Sequence, residues 1–226
     1  MTPLAPDADE RSLNLAIFGA SSPVGRALVA QALDAGHRLT ALTPHPERMP
    51  RDGALRVVHA TPADVPALSD AILGVDAVLC ALPAFARGSQ DVTGAARAVA
   101  NITRVMRDLR VRRLVALSSA EVVLPGDRLN LEQRARHFLT QLFAGRALAA
   151  RRRVYHTVAD TDLDWIVVRA ATIGDGPATG HYGAFADHLP SPRISSGDVA
   201  HFMLTCAQDD TWLRRAPMLG HSHSAR

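Results

Sequence analysis

Short runs rich in Val, Leu, Ile and Ala alternate along this chain with longer segments of helical period, and that alternation constrains the fold more than any other feature. Buried parallel strands read as continuous aliphatic runs, and a crossover, commonly a helix, must bring the chain back before the next strand begins. The aliphatic runs fall at residues 13–19, 37–43, 54–59, 77–82, 113–118 and 164–170, with helical patterns at 24–35, 65–73 and 90–109. This order predicts an α/β protein, a single doubly wound domain on a mostly parallel sheet. Gly36, after Asp34 and Ala35, suits the position that closes the first helix. An arginine-rich stretch over 128–162 interrupts the pattern and reads as one or two helices, broken near Gly145.

The length of 226 residues suits one well-cored domain and is short for two. The expected domain covers 13–219, between a disordered segment at 1–12 and a flexible tail at 220–226. Aromatics make up only 4% of the chain, so the core must be aliphatic. Cys80 and Cys206 lie in apolar stretches and read as buried free thiols in a reducing cytoplasm. All 25 basic residues are arginine, which excludes any mechanism needing a lysine amine, whether as Schiff base or as the partner in Tyr-x-x-x-Lys. The formal charge is a modest +3, and the arginine clusters at 104–113 and 146–153 lack interleaved aromatics. They read as solvated helix faces rather than a nucleic-acid surface. No apolar run reaches membrane-spanning length, and residues 1–12 lack the pattern of a secretion signal. The expectation is a cytoplasmic protein with a small-molecule substrate, no nucleic-acid or membrane partner, and a monomeric or homodimeric state.

The segment Gly19-Ala20-Ser21-Ser22-Pro23-Val24-Gly25 ends the first strand and opens the first helix. Small residues there let the backbone approach a pyrophosphate, and the helix N-terminus adds unpaired amides and partial positive charge. At the first βα turn of an alternating chain this points to dinucleotide binding. Ligands of such sheets lie beyond the carboxyl ends of the strands. The residues to follow are therefore Arg48, Thr61, Leu82, Ser118, Ser119, Glu121 and Thr172.

Together with this turn, four stretches carry a family resemblance: 74–79 (Gly-Val-Asp-Ala-Val-Leu), 114–120 (Leu-Val-Ala-Leu-Ser-Ser-Ala), 173–182 and 192–204. Over about residues 15–208 the chain resembles the atypical, NmrA-like short-chain dehydrogenase/reductases, and within them the biliverdin-IXβ reductase, or flavin reductase, type. The resemblance implies a Rossmann domain with cofactor contacts at Gly19, Ser21, Ser22, Val24, Gly25, Arg26, Arg48, Thr61, Leu82 and Ser118. It implies NADP(H) as cofactor, with NAD(H) as the alternative, and Ser119 and Thr172 as the polar pair beside the nicotinamide. Several positions depart from the pattern. Ser22 stands at the middle glycine, where its hydroxyl would bond or crowd the pyrophosphate. Pro44 replaces the arginine that holds the 2′-phosphate, leaving Arg48 and Arg26 as cations. Ala60-Thr61 replaces Gly-Asp, and Thr172 replaces a histidine. No acidic residue ends the second strand to take a ribose 2′-hydroxyl, which favours NADP.

The implied activity is NADPH-dependent reduction of a planar conjugated molecule (flavin-, quinone-, tetrapyrrole- or polyketide-like) by hydride transfer. The missing histidine, lysine and phosphate arginine motivate two alternatives. One is non-redox chemistry as an isomerase, cyclase or dehydratase; the other is an NmrA-like regulator that binds the dinucleotide without turnover. Glu121 is a candidate pocket acid, and Tyr182 with His181 lies where a planar substrate would stack. His201, beside Phe202, reads as packed, and Trp165 as core. His221 and His223 lack carboxylate or cysteine partners, so no metal is expected.

Overall fold

The computed structural model describes residues 12–82, 92–131, 134, 142, 148, 149 and 151–222. Among these residues ten strands are formed: β1 (Asn14–Phe18), β2 (Arg38–Thr43), β3 (Leu55–His59), β4 (Ala77–Cys80), β5 (Arg113–Ser119), β6 (Asp164–Ala170), β7 (Thr172–Gly174), β8 (Tyr182–Phe185), β9 (Arg193–Ser195) and β10 (Met218–His221). The helices are α1 (Pro23–Asp34), α2 (Val65–Ile72), α3 (Val92–Asp108), α4 over residues 151–159, and α5 (Ser196–Thr205). Eight strands make one sheet in the order β3-β2-β1-β4-β5-β6-β10-β8, and β7 pairs with β9 in a separate parallel ladder. Only β8 runs antiparallel to its neighbour in the large sheet.

All six aliphatic runs form strands; in β1, β2, β4, β5 and β6 burial on both faces suits an unbroken apolar sequence better than an alternating one, while β3 lies at the sheet edge and is only partly buried. The central residues of β5 and β6 are buried throughout. β1 lies between β2 and β4, with Ile17 level with Ala41 on one side and Leu79 on the other. From β1 the chain crosses one way to β2, and from β3 it crosses back to β4. Right-handed crossovers therefore put α1 on one face and α2 and α3 on the other. α5 joins α1's face, where the Gln31 side-chain amide donates to the Gly197 carbonyl at 3.0 Å. Phe18, Leu28, Leu79, Ile102, Leu114 and Ile166 are fully enclosed between the layers. Trp165 joins them and meets Tyr155 edge-on at 6.2 Å. Cys80 and Cys206 are buried and free, and burial pushes each thiol up to about 12, so neither supplies a thiolate near neutrality.

The C-terminal third differs from the sequence reading. Residues 182–185, to which no strand was assigned, form β8, and β10 extends through Gly220 and His221, which had been assigned to the tail. These strands have four residues each, too few for a period to stand out, and their pairing depends on tertiary context. Gly220 is needed in that pairing, since a Cβ there would sit 2.5 Å from the Ser191 carbonyl oxygen. Most of segment 1–12, the end of the tail and the proposed break near Gly145 lie outside the described residues. No helix among the described residues is long and apolar enough to cross a membrane.

Candidate functional site

The Gly19–Gly25 turn is built by its own backbone. Gly19 is left-handed (φ +77°), and a Cβ there would lie 2.3 Å from the Ala81 carbonyl oxygen at the end of β4. A Cβ on Gly25 would lie 2.0 Å from the Gly19 oxygen, so any side chain collides with the turn before it meets a ligand. Ser22 is the N-cap of α1, and Pro23 follows at the first helical position. Its hydroxyl accepts from the Gly25 amide at 3.0 Å and donates to the Ala81 carbonyl at 3.1 Å. The hydroxyl is thus engaged inside the fold, with its proton directed at the Ala81 carbonyl. The amides of Ser21 and Val24 make no hydrogen bond among the described residues. No acidic side chain neutralises the first turn of α1, so its partial positive charge stands. Arg26 is exposed and donates to the Ser21 carbonyl at 3.0 Å.

The neighbouring strand ends contribute a mixed set of groups. Arg48 lies in a single 3₁₀ turn (Pro46–Arg48) after β2, exposed and 3.8 Å from Glu47, which is itself 3.4 Å from His45. A carboxylate thus stands beside the candidate phosphate arginine. Thr61 is exposed, its hydroxyl oxygen accepting from the Ala63 amide at 3.4 Å, and Leu82 is half-buried. Ser118, at the end of β5, is only 3% exposed, yet its hydroxyl has no hydrogen-bond partner. The next hydroxyl, Ser119, accepts from the Glu121 amide at 3.2 Å and keeps its own proton to donate. Glu121 is ion-paired to Arg151 on α4 at 2.5 Å, with the two side chains 21% and 7% exposed. The side chain of the candidate pocket acid is therefore engaged by the Arg151 guanidinium.

The C-terminal candidates are placed differently from expectation. Ser119 is level with Ala170, the last residue of β6; Thr172 lies two residues further on, exposed, and opens β7 against Arg193. The Tyr182 hydroxyl is 2.6 Å from Nδ1 of His201, and its ring meets Phe202 edge-on at 5.9 Å. Burial, then the charges of Asp198 and Cys206, push the phenol well above its usual range. Tyr182 therefore packs against α5 instead of offering a free ring for stacking. Phe202 is the buried neighbour on α5, and His201 is exposed, contrary to its packed reading. His181 is exposed, and its carbonyl accepts from the Ser222 amide at 3.2 Å. No metal-binding group of three or more His, Cys, Asp or Glu occurs among the described residues, and His223 lies outside them.

Two buried polar centres escaped the sequence reading. Asp198 is fully buried and accepts from the Thr179 amide (2.6 Å), the Gly180 amide (2.9 Å) and the hydroxyls of Thr179 and Ser195 (both 2.8 Å). Burial by itself raises this carboxyl, but the hydrogen bonds outweigh it and hold the group below the usual carboxylate range. Arg169 forms a two-pronged pair with Asp127 at 2.5 and 2.9 Å and also donates to the carbonyls of Val122 and Ala216. Only the Ser195-x-x-Asp198 capping pattern offered a local signal for either.

Residues 19–210 match the NAD(P)H-binding family. The chain belongs to that family. Among solved structures it is similar to a short-chain dehydrogenase/reductase from Veillonella parvula in complex with NADP. The TM-score is 0.77 at 15% identity, covering 95% of this chain and 100% of that one. An oxidoreductase from Lactococcus lactis matches with a TM-score of 0.74 at 16% identity, covering 94% and 93%. A Rossmann-fold NAD(P)-binding family protein from Shigella flexneri matches at 0.73 and 15%, covering 96% and 98%. At these identities the likeness is one of fold.

For a member of the NAD(P)H-binding family, the residues at this edge fit the cofactor. The turn offers a cradle that a Cβ would fill, amides without partners at Ser21 and Val24, and the positive end of α1. Ser118 adds a buried hydroxyl with unused bonding capacity.

Proposed function

We propose that the protein is an NADPH-dependent reductase of a planar conjugated small molecule, of the biliverdin-IXβ reductase type, acting in the cytoplasm without a Tyr-Lys pair. The observation that carries this reading is the hydroxyl pair at the end of β5. Ser118 is buried and unpartnered, and Ser119 retains a donatable proton, on the same edge as the glycine turn. When bound, the nicotinamide supplies the hydride. Ser119 donates a hydrogen bond to the acceptor's oxygen or nitrogen, and the Glu121–Arg151 pair fixes the loop from which it does so. The exposed Thr172 hydroxyl orients the acceptor without delivering a proton. Arg48 meets the 2′-phosphate and favours NADPH.

Steady-state oxidation of NADPH, with and without FMN or a quinone, tests this. Ser119→Ala should lower the acceptor-dependent rate about tenfold, the effect of one lost hydrogen bond. Thr172→His should raise it by restoring a group that donates a proton near neutral pH. NADPH binding with no acceptor-dependent oxidation in any of the three proteins would overturn the reductase reading in favour of a regulator. Turnover of a substrate without NADPH would favour non-redox chemistry.

A further inference from the structure

At the far edge of the sheet a groove of about 510 Å³ opens between the end of α3 and the starts of β5 and β6. β5 spans seven residues, so this edge is about 20 Å from the one that carries the glycine turn. Met106, Val111 and Leu163, all buried, line its floor. Four arginines line it, Arg104, Arg107, Arg110 and Arg112, with two aspartates, Asp108 and Asp162. Arg107 is paired with Asp162 at 3.3 Å, and Arg112 with Asp164 at 2.9 and 3.2 Å. Arg104 and Arg110 make no ion pair among the described residues. The end of α3 adds roughly half a negative charge, which the excess of guanidiniums outweighs.

The backbone at this edge is also unusual. The Arg110 amide donates to Arg107 at 3.1 Å and the Val111 amide to Met106 at 2.9 Å, which closes α3 with a left-handed residue (φ +59°). After α1 and α2 the corresponding left-handed positions are glycines, Gly36 and Gly74. Arg110 and Arg214 are the two non-glycine residues with positive φ among the described residues, and both lie at this edge. The Arg214 guanidinium donates to the Asp162 carbonyl, which Arg112 also contacts. Side chains in this conformation cost free energy that glycine avoids, and such strain concentrates at functional positions.

We propose that this groove is a second ligand site, one that takes a small phosphate monoester, with the phosphate on Arg104 and Arg110 and the carbon skeleton against Val111, the most accessible of the three apolar residues. The volume lies in the range of small-ligand sites. The interspersed Asp108 and Asp162 would repel a continuous polyanion such as nucleic acid, whereas a single compact dianion can sit between the unpaired guanidiniums.

Calorimetry at 150 mM salt, with phenyl phosphate and inorganic phosphate as probes, tests the site. Phenyl phosphate should bind wild type more tightly than inorganic phosphate, because only it reaches the floor. The double variant Arg104→Gln/Arg110→Gln should lose at least tenfold in affinity, while Arg38→Gln, on a distant strand, should lose none. Any binding at the glycine turn is common to all three proteins and does not contribute to the difference. Arg110→Gly should raise Tm by relieving the left-handed side chain and yet weaken phenyl phosphate binding. Equal affinity in wild type and the double variant, or Arg110→Gly raising Tm with affinity unchanged, would overturn the proposal. So would complete loss of wild-type binding at 150 mM salt, which would mark an ion atmosphere only.

Discussion

In the Gly19–Gly25 turn the main constraints act within a few residues or against one adjacent strand end. A side chain on Gly19 would strike the Ala81 carbonyl and one on Gly25 the Gly19 carbonyl, and Ser22 caps α1 while holding the end of β4. Between Thr172 and His221 the contacts join segments far apart in the chain. Asp198 holds the loop at Thr179 and Gly180, Tyr182 reaches His201 across nineteen residues, and Gly220 admits the Ser191 carbonyl. The two regions should therefore fail in different ways. The first fails when added atoms strike the backbone, the second when a buried polar group loses its partner.

The largest expected effect is in the turn. Gly25→Val should cost about 3 kcal/mol or more, since the new Cβ falls within 2.0 Å of a carbonyl oxygen and 2.7 Å of the Ala20 Cα. Urea unfolding measures this, and a variant as stable as wild type would break the contrast between the regions. Asp198→Asn should cost about 2 kcal/mol by leaving amide donors facing an amide group, while NADPH affinity changes less than twofold. Because the folded carboxyl is held below its usual value, its contribution is present above about pH 4, the unfolded value, and is lost as pH falls through the folded value. The stability gap between wild type and Asp198→Asn should narrow on acidification below pH 4. A gap that widens there would contradict the assigned hydrogen bonding.

Arg48→Ala should weaken NADPH binding by about 1.5 kcal/mol, the low end for a charge-assisted contact because the side chain is exposed, and leave NADH nearly unaffected. Equal losses for both nucleotides would remove Arg48 from the 2′-phosphate. The smallest effect sharpens the comparison further. Ser22→Ala should cost about 1 kcal/mol through the lost cap, and Ser22→Gly only a few tenths. A large gain in NADPH affinity on Ser22→Gly would instead mean that the hydroxyl crowds the ligand.

The glycine turn and strands β1 to β6 are legible in the sequence because their causes are local: aliphatic runs for the strands, glycines for a close turn, and a Ser-Pro pair for a helix start. Ser22 shows the limit of a motif comparison. Set beside the family's glycine it looks like a loss, whereas read as the residue before Pro23 it is an N-cap. β8, β10 and the Tyr182–His201 bond are not legible, since four-residue strands carry no resolvable period and a nineteen-residue contact exists only in the fold. Glu121 was placed near the site by chain position, and Thr172 by chain position and the family resemblance. Their actual settings, in an ion pair with α4 and in a separate two-stranded ladder, depend on tertiary packing.

The most direct test of the central claim is a calorimetric titration of the wild-type chain with NADPH and with NADH. The account predicts one NADPH per chain, bound more tightly than NADH, with the preference lost in Arg48→Ala. A folded protein that binds neither nucleotide would contradict the assignment of the Gly19–Gly25 turn as the cofactor site.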